Sequence, residues 1–224
     1  MTGLQTKIRE FFNSGIWTSM LNHTVDEIEE YHMKEAEWLR EFMLQYKPGR
    51  VLDVGCGSGE SIAPISDLEM EIYGIDIAER QLEIAAERFQ GNTNVHLMQC
   101  DASQMPADWT NKFDVAYCMG AGFGNMEGLQ MDVLREMIRV TKPNGRIVIS
   151  VYSEHAKEAQ RAWYTSIGLQ IVDDSGDCTL FANGMVSERF TKGKLYALAE
   201  RLGLEVEIEE LTPIAYIAVF HQKV

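Results

Sequence analysis

The chain has few cysteines, too little positive charge and no long apolar run, and each shortage excludes a class of protein. Its cysteines are Cys56, Cys100, Cys118 and Cys178. Their separations fit neither a metal-ligand set nor a disulfide framework, so they read as reduced, partly buried thiols of a cytoplasmic protein. Lysine and arginine number 20 against 34 acidic residues, a net charge of −14. No basic cluster offsets that charge, so the surface repels phosphate backbones and no nucleic-acid partner is expected. No apolar run approaches the roughly 20 residues of a membrane span, so no membrane partner is expected. The N-terminal stretch is amphipathic and lacks the apolar core of a secretory signal. The phosphate cradle G-x-x-x-x-G-K-[ST] is missing. The acidic run Asp173-Asp174-Ser175-Gly176-Asp177 lacks calcium-loop spacing and reads as a solvated turn, so no metal is expected.

What is present suits one α/β domain: 224 residues, 46% hydrophobic, with no linker or repeat. The chain is organised around Arg50-Val51-Leu52-Asp53-Val54-Gly55-Cys56-Gly57-Ser58-Gly59. Val51, Leu52 and Val54 suit a parallel strand covered on both faces. The glycines then allow a tight turn and a close approach of ligand to backbone. The third glycine comes one place too early for the dinucleotide pattern G-x-G-x-x-G, and Glu60 stands in the vacated position. A carboxylate there disfavours a pyrophosphate near a helix start. A second strand, Glu71 to Asp76, ends in a carboxylate about 20 residues after the turn, where ribose hydroxyls are held in Rossmann-type folds. A carboxylate accepts from both vicinal hydroxyls at once. Further strands over 95–100 and 113–118 end at Asp101-Ala102 and at Met119-Gly120.

The run Asp53-x-Gly55-x-Gly57-x-Gly59, followed by Asp76 and Asp101 at strand ends, resembles class I S-adenosylmethionine-dependent methyltransferases. The resemblance covers residues 45 to 152 and, by pattern, the C-terminus. It implies a Rossmann-like three-layer α/β/α sandwich with a seven-stranded, mostly parallel sheet in the order 3-2-1-4-5-7-6, the last strand antiparallel. It implies S-adenosyl-L-methionine as cofactor and S-adenosyl-L-homocysteine as product. By resemblance, the cofactor is held by Asp53, Gly55, Cys56, Gly57, Asp76, Ile77, Asp101, Ala102 and Cys118. Asp101 accepts there from the adenine amine, and Met105 and Trp109 lie near the ring or in the core.

Taken in order, residues 1–46 read as a helical lid. They comprise two short helices over 1–25 and a longer one over 26–46 capped by Thr24 or Asp26. Ile28, Tyr31, Trp38, Leu39, Phe42 and Tyr46 share one face of that helix. By resemblance, Trp17, His23 and Tyr31 close the site. Residues 47–152 form the cofactor core, with helices over 59–68, 78–89 and 127–140 and a fifth strand over 146–152 after the turn Lys142-Pro143-Asn144-Gly145. By resemblance, the loop Gly120-Ala121-Gly122-Phe123-Gly124-Asn125 offers Phe123 and Asn125 as acceptor contacts, and it lacks the prolines of the base-methylating enzymes. Residues 153–190 read as an insert with a helix over 154–167, two or three short strands and a hairpin at Asn183-Gly184, and the resemblance implies that it forms a substrate cap. Residues 191–224 supply the last helix, 192–202, an edge strand with outward Glu205, Glu207 and Glu209, and a continuously apolar strand from Ile214 to Phe220.

The chemistry implied is in-line methyl transfer to an O or N atom of a small-molecule acceptor, in a monomer or homodimer. The sulfonium is already activated, so the protein mainly positions the reactants. If the acceptor keeps its proton, His155 after the fifth strand is the expected catalytic base, with Tyr152 beside it as a substrate contact and His23 as second candidate. His32, His96 and His221 read as face residues. A methyltransferase for protein side chains or RNA, and a non-catalytic cofactor-binding protein, are the competing readings.

Overall fold

The computed structural model describes residues 3–16, 24–126 and 128–222. The expected second short helix, Trp17 and His23 therefore lie outside the described residues. The helices are α1 (Gly3–Asn13), α2 (Asp26–Tyr46), α3 (Glu79–Arg88), α4 (Gln130–Val140), α5 (Lys157–Ser166) and α6 (Lys192–Leu202). The strands are β1 (Arg50–Val54), β2 (Glu71–Asp76), β3 (Val95–Gln99), β4 (Phe113–Cys118), β5 (Thr141–Ser153), β6 (Ile171–Asp173), β7 (Cys178–Phe181), β8 (Val186–Phe190), β9 (Leu204–Thr212) and β10 (Ala215–Gln222).

The central order is β3-β2-β1-β4-β5-β10-β9, with β10 antiparallel to both its neighbours. This is the expected seven-stranded order. Strand alternation builds the three layers. Leu52, Ala116, Ile149 and Ala218 project to the face covered by α4 and α6. Val51, Val115, Val148 and Ile217 project to the face covered by Leu39 and Met43 of α2. As expected, β9 pairs only with β10, and its glutamates at 205, 207 and 209 are exposed. Helix α6 carries both expected caps. Thr191 Oγ1 accepts from Lys194 N–H, and Gly203 takes φ 69° at the other end.

Several local expectations need correction. Residues 59–68 do not form an α-helix; they hold only a single 3-10 turn, Ala63–Ile65. Pro64 has no N–H to place in an α-helical ladder. Helix α2 has the expected bounds, but its N-cap is Val25, without a side-chain cap. Strand β5 runs longer than expected, from Thr141, with residues 142–145 bulged between the pairs Phe113–Thr141 and Val115–Arg146. The helix expected over 154–167 begins as a 3-10 turn, Glu154–Ala156, before α5.

The insert also joins the sheet, which the sequence pattern did not foretell. Strand β4 pairs with β5 as far as Ile149. Beyond that point β8 runs parallel to β5, pairing Arg189 with Tyr152 and Phe190 with Ser153, and β7 and β6 follow outward. A third apolar cluster gathers above this end of the sheet. It brings Ile8 of α1 and Tyr31 of α2 against Tyr152, Trp163, Tyr164 and Phe181.

Candidate functional site

The strand ends of β1, β2 and β3 and the loop after β4 open into one cavity of about 440 Å³. Strand β1 ends in a turn where Gly55, Gly57 and Gly59 all have positive φ, at 75°, 52° and 85°. Only glycine takes such angles without strain. The N–H groups of Gly55 and Cys56 donate to the Ile75 carbonyl at 2.8 and 2.9 Å, which pins the turn to β2. A Cβ on Gly59 would stand 2.4 Å from the Phe89 ring, so this glycine lets the turn pack on the end of α3. Because residues 59–68 are not an α-helix, no helix N-terminus from this segment offers its dipole to an anion.

Asp76 faces the cavity at the end of β2. Its Oδ2 accepts from Gly57 N–H at 2.9 Å and its Oδ1 from Ala78 N–H at 2.8 Å. The same carboxylate thus shapes the glycine turn and lines the site. Burial raises its pKa, against the pull of those N–H groups. Asp53 lies deeper. Its Oδ2 accepts from the Ser61 hydroxyl, while its Oδ1 is buried without a partner among the described residues. Burial pushes its carboxyl up to about 8; the Ser61 hydroxyl opposes the rise, and the charges of Asp76, Glu35 and Glu60 add to it.

Asp101 follows β3. Its Oδ1 accepts from the Ser103 N–H and hydroxyl at 2.9 and 2.7 Å, and its Oδ2 accepts from the Gln5 amide of α1. Helix α1 is held over the cavity by its far end. Asn13 Nδ2 donates to Glu79 at 2.8 Å, and Gln81 donates to the Phe12 carbonyl at 2.9 Å. Helix α2 supplies His32, Glu35, Ala36 and Leu39 to the opposite wall. Glu35 Oε1 accepts from Gly120 N–H at 2.8 Å and from the Tyr31 hydroxyl at 2.7 Å, fixing the loop after β4. The cavity's charged lining is acidic apart from Arg88, which pairs with Glu60 at 3.0 Å. Such a wall suits a ligand carrying positive charge.

Of the cofactor residues expected from the sequence, Gly55, Cys56, Gly57, Asp76, Ile77, Asp101 and Ala102 line this cavity. Asp53 sits beneath it. Cys118 does not line it; the thiol is buried in the core among the α4 contacts. Met105 and Trp109 are core residues too, Trp109 packing edge-on against Tyr73 and Phe113. Asn125 lines the cavity, but Phe123 does not. Gly124 lies so near β8 that a Cβ would stand 2.7 Å from the Glu188 carbonyl, and Phe123 turns inward to meet Phe190. Tyr152 lines a smaller space of about 20 Å³ under the insert, which shares Phe12, Gly120 and Asn125 with the main cavity. Tyr31 is buried beside Tyr152, their rings 5.5 Å apart.

The expectation for His155 is corrected. Its N–H bonds to the Ser153 hydroxyl, which starts the 3-10 turn, and its side chain points outward with 68% exposure. It does not line the cavity. Sequence reasoning missed Gln5, His32 and Glu35. Glu35 was visible as a polar interruption of the buried stripe Ile28, Tyr31, Glu35, Leu39 and Met43 on α2, and His32 stands next to that stripe. Among the described residues no cluster of His, Cys, Asp or Glu suits a metal ion, and no helix is long and apolar enough to cross a membrane.

Residues 46–203 match the model of a methyltransferase domain family. The chain belongs to that family. Among curated methyltransferase relatives, the demethylmenaquinone methyltransferase of Geobacillus kaustophilus is 36% identical over 122 residues, covering 52% of this chain and 51% of that protein. The chain spans about half the length of the curated relatives it matches. Solved methyltransferase structures share the fold. The 1,6-didemethyltoxoflavin-N1-methyltransferase of Burkholderia thailandensis aligns over 98% of this chain and 88% of its own, with TM-score 0.69 and 18% identity. DhpI in complex with SAM and HEP aligns over 99% of both chains, with TM-score 0.70 and 14% identity. Both likenesses, at 18 and 14% identity, show the fold.

Proposed function

We infer that the protein is an S-adenosylmethionine-dependent methyltransferase acting on an O or N atom of a small molecule. One observation carries this reading: the glycine turn, Asp76 and Asp101 converge on a single cavity with a carboxylate-rich wall. The donor set fits that cofactor. Asp76 would take the ribose hydroxyls, and Asp101 with Ala102 and Ile77 the adenine. Asp53, Gly55, Cys56 and Gly57 would border the amino-acid tail. The buried Oδ1 of Asp53, beneath the cavity, suits a ligand ammonium through water.

S-adenosylmethionine, when bound, supplies an activated methyl group on a sulfonium. The chain's part is positioning and exclusion of water. Glu35 fixes the loop at Gly120, and Ile8, Phe12 and Leu39 wall the cavity from α1 and α2. A small-molecule acceptor is supported by the enclosure of the site beneath α1 and α2. The names of the relatives from Geobacillus kaustophilus and Burkholderia thailandensis also support it.

The test incubates the purified protein with methyl-labelled S-adenosylmethionine and a cytoplasmic extract, then separates low-mass from macromolecular products. Label in the low-mass fraction is the expected result. Label confined to protein or RNA overturns the small-molecule reading, and no label with intact cofactor binding supports the non-catalytic reading.

A further inference from the structure

Most carboxylates that border the cavity are already engaged. Asp76 holds Gly57 and Ala78, Asp101 holds Ser103 and Gln5, Glu35 holds Gly120 and Tyr31, and Glu60 pairs with Ser58 and Arg88. His32 differs. It lines the cavity from α2, and neither ring nitrogen has a hydrogen-bond partner among the described residues. Its ring is held by packing, 5.0 Å from the Tyr31 ring and 5.9 Å, edge-on, from Trp163 of the insert. It therefore stands where the cofactor cavity meets the cap, with Phe12 as a further aromatic wall.

We propose that His32 is the catalytic base of this enzyme and that its acceptor is an uncharged aromatic ring bearing a hydroxyl group. The proposal rests on the methyltransferase reading. The acidic lining disfavours a carboxylate or phosphate on the acceptor, and the apolar and aromatic surroundings favour a flat ring. A neutral amine attacks before it loses its proton, whereas a phenolic hydroxyl gains nucleophilicity by losing it, so a free base beside an aromatic wall suits the hydroxyl. In the step, the O–CH3 bond forms as the S–CH3 bond breaks, giving S-adenosylhomocysteine. The hydroxyl proton passes to the imidazole and then to solvent. Burial holds the imidazolium below its usual pKa, against Glu35 on the same helix and Glu60 on the glycine-turn segment, so the base form prevails at neutral pH.

The test compares wild type with His32→Gln on 2-naphthol and on 4-nitrophenol, using methyl-labelled cofactor. S-adenosylhomocysteine affinity is measured by calorimetry in parallel. Wild type is expected to methylate both. His32→Gln is expected to lose about 10²-fold or more in kcat on 2-naphthol, the usual weight of a general base. It should lose the acidic limb of the pH profile, and lose far less on 4-nitrophenol at mildly alkaline pH, where that acceptor is already ionised. Its S-adenosylhomocysteine affinity should stay within about twofold if the cofactor's polar groups are held by the glycine turn, Asp76 and Asp101. Equal turnover of 2-naphthol by both proteins overturns the role of His32. A large loss of S-adenosylhomocysteine affinity reassigns His32 to the cofactor and overturns it too. If neither phenol is methylated while S-adenosylhomocysteine still binds, the acceptor class is wrong. If S-adenosylhomocysteine does not bind wild type, the methyltransferase reading itself fails.

Discussion

The Gln5 amide donates to the Asp101 carboxylate and so ties the first helix to the end of the third strand, across the mouth of the cavity. The same side chain lines the cavity and touches the expected adenine acceptor. Gln5→Ala should raise amide hydrogen exchange in residues 3–13 and weaken S-adenosylhomocysteine binding by about 1 kcal/mol, roughly fivefold. Exchange mass spectrometry and calorimetry read the two effects. Unchanged exchange in α1 would show that Asn13 and Gln81 hold the helix without Gln5.

Asp76 serves two structures at once, since it accepts from Gly57 N–H and faces the cavity. Asp76→Ala removes a charged acceptor from both. Cofactor affinity should fall by about 1.5–3 kcal/mol for each charged hydrogen bond lost. Calorimetry with S-adenosylhomocysteine measures it. An unchanged affinity would place the ribose elsewhere.

Asp53 makes stability depend on pH in an unusual direction. Its folded carboxyl is raised to about 8, above an unfolded value of about 3.9. The folded state therefore holds the proton more tightly, and stability falls as pH rises from about 4 towards about 8. Asp53→Asn should flatten that decline and raise the melting temperature of the free protein near neutral pH. Bound positive charge should pull the proton off Asp53, so cofactor binding near neutrality should release protons. Calorimetry in buffers of different ionisation enthalpy detects this release.

Arg189 is buried at 3% exposure, yet its close partners are neutral. Nη1 donates to Gln160 Oε1 and Thr179 Oγ1, both at 2.8 Å, and Nη2 to the Gly176 carbonyl at 2.7 Å. It thus joins α5, β7 and the acidic turn to β8. Arg189→Met should leave those acceptors unmet and cost about 2–3 kcal/mol in denaturant titration. Protease sensitivity should appear within residues 154–190 before the core yields.

The central strands and the glycine turn were legible because strand-end residues are placed by local pattern. A run such as Val51–Val54 followed by glycines fixes Asp53, Gly55 and Gly57 within one turn of backbone. The last helix was legible from Thr191 and Gly203, each a capping residue with its own signature. Residues that depend on docking between distant elements were not. His32, Glu35 and Gln5 reach the cavity only because α1 and α2 fold back over the strand ends. Phe123 and His155 sit in the expected segments but point away, the first because Gly124 draws its loop onto β8, the second because Ser153 starts a turn. The α-helix read over 59–68 fails at Pro64, a residue whose missing N–H was there to be weighed.

The pairing of Ser153 with Phe190 has one more consequence. The insert leaves the sheet at one residue and returns beside it, so its two ends are neighbours in space. Such an excursion starts and ends at one seam of the sheet, so its backbone closes on itself beside β5. A change of length between residues 153 and 190 therefore need not shift the register of β5 against β4, which pair only as far as Ile149.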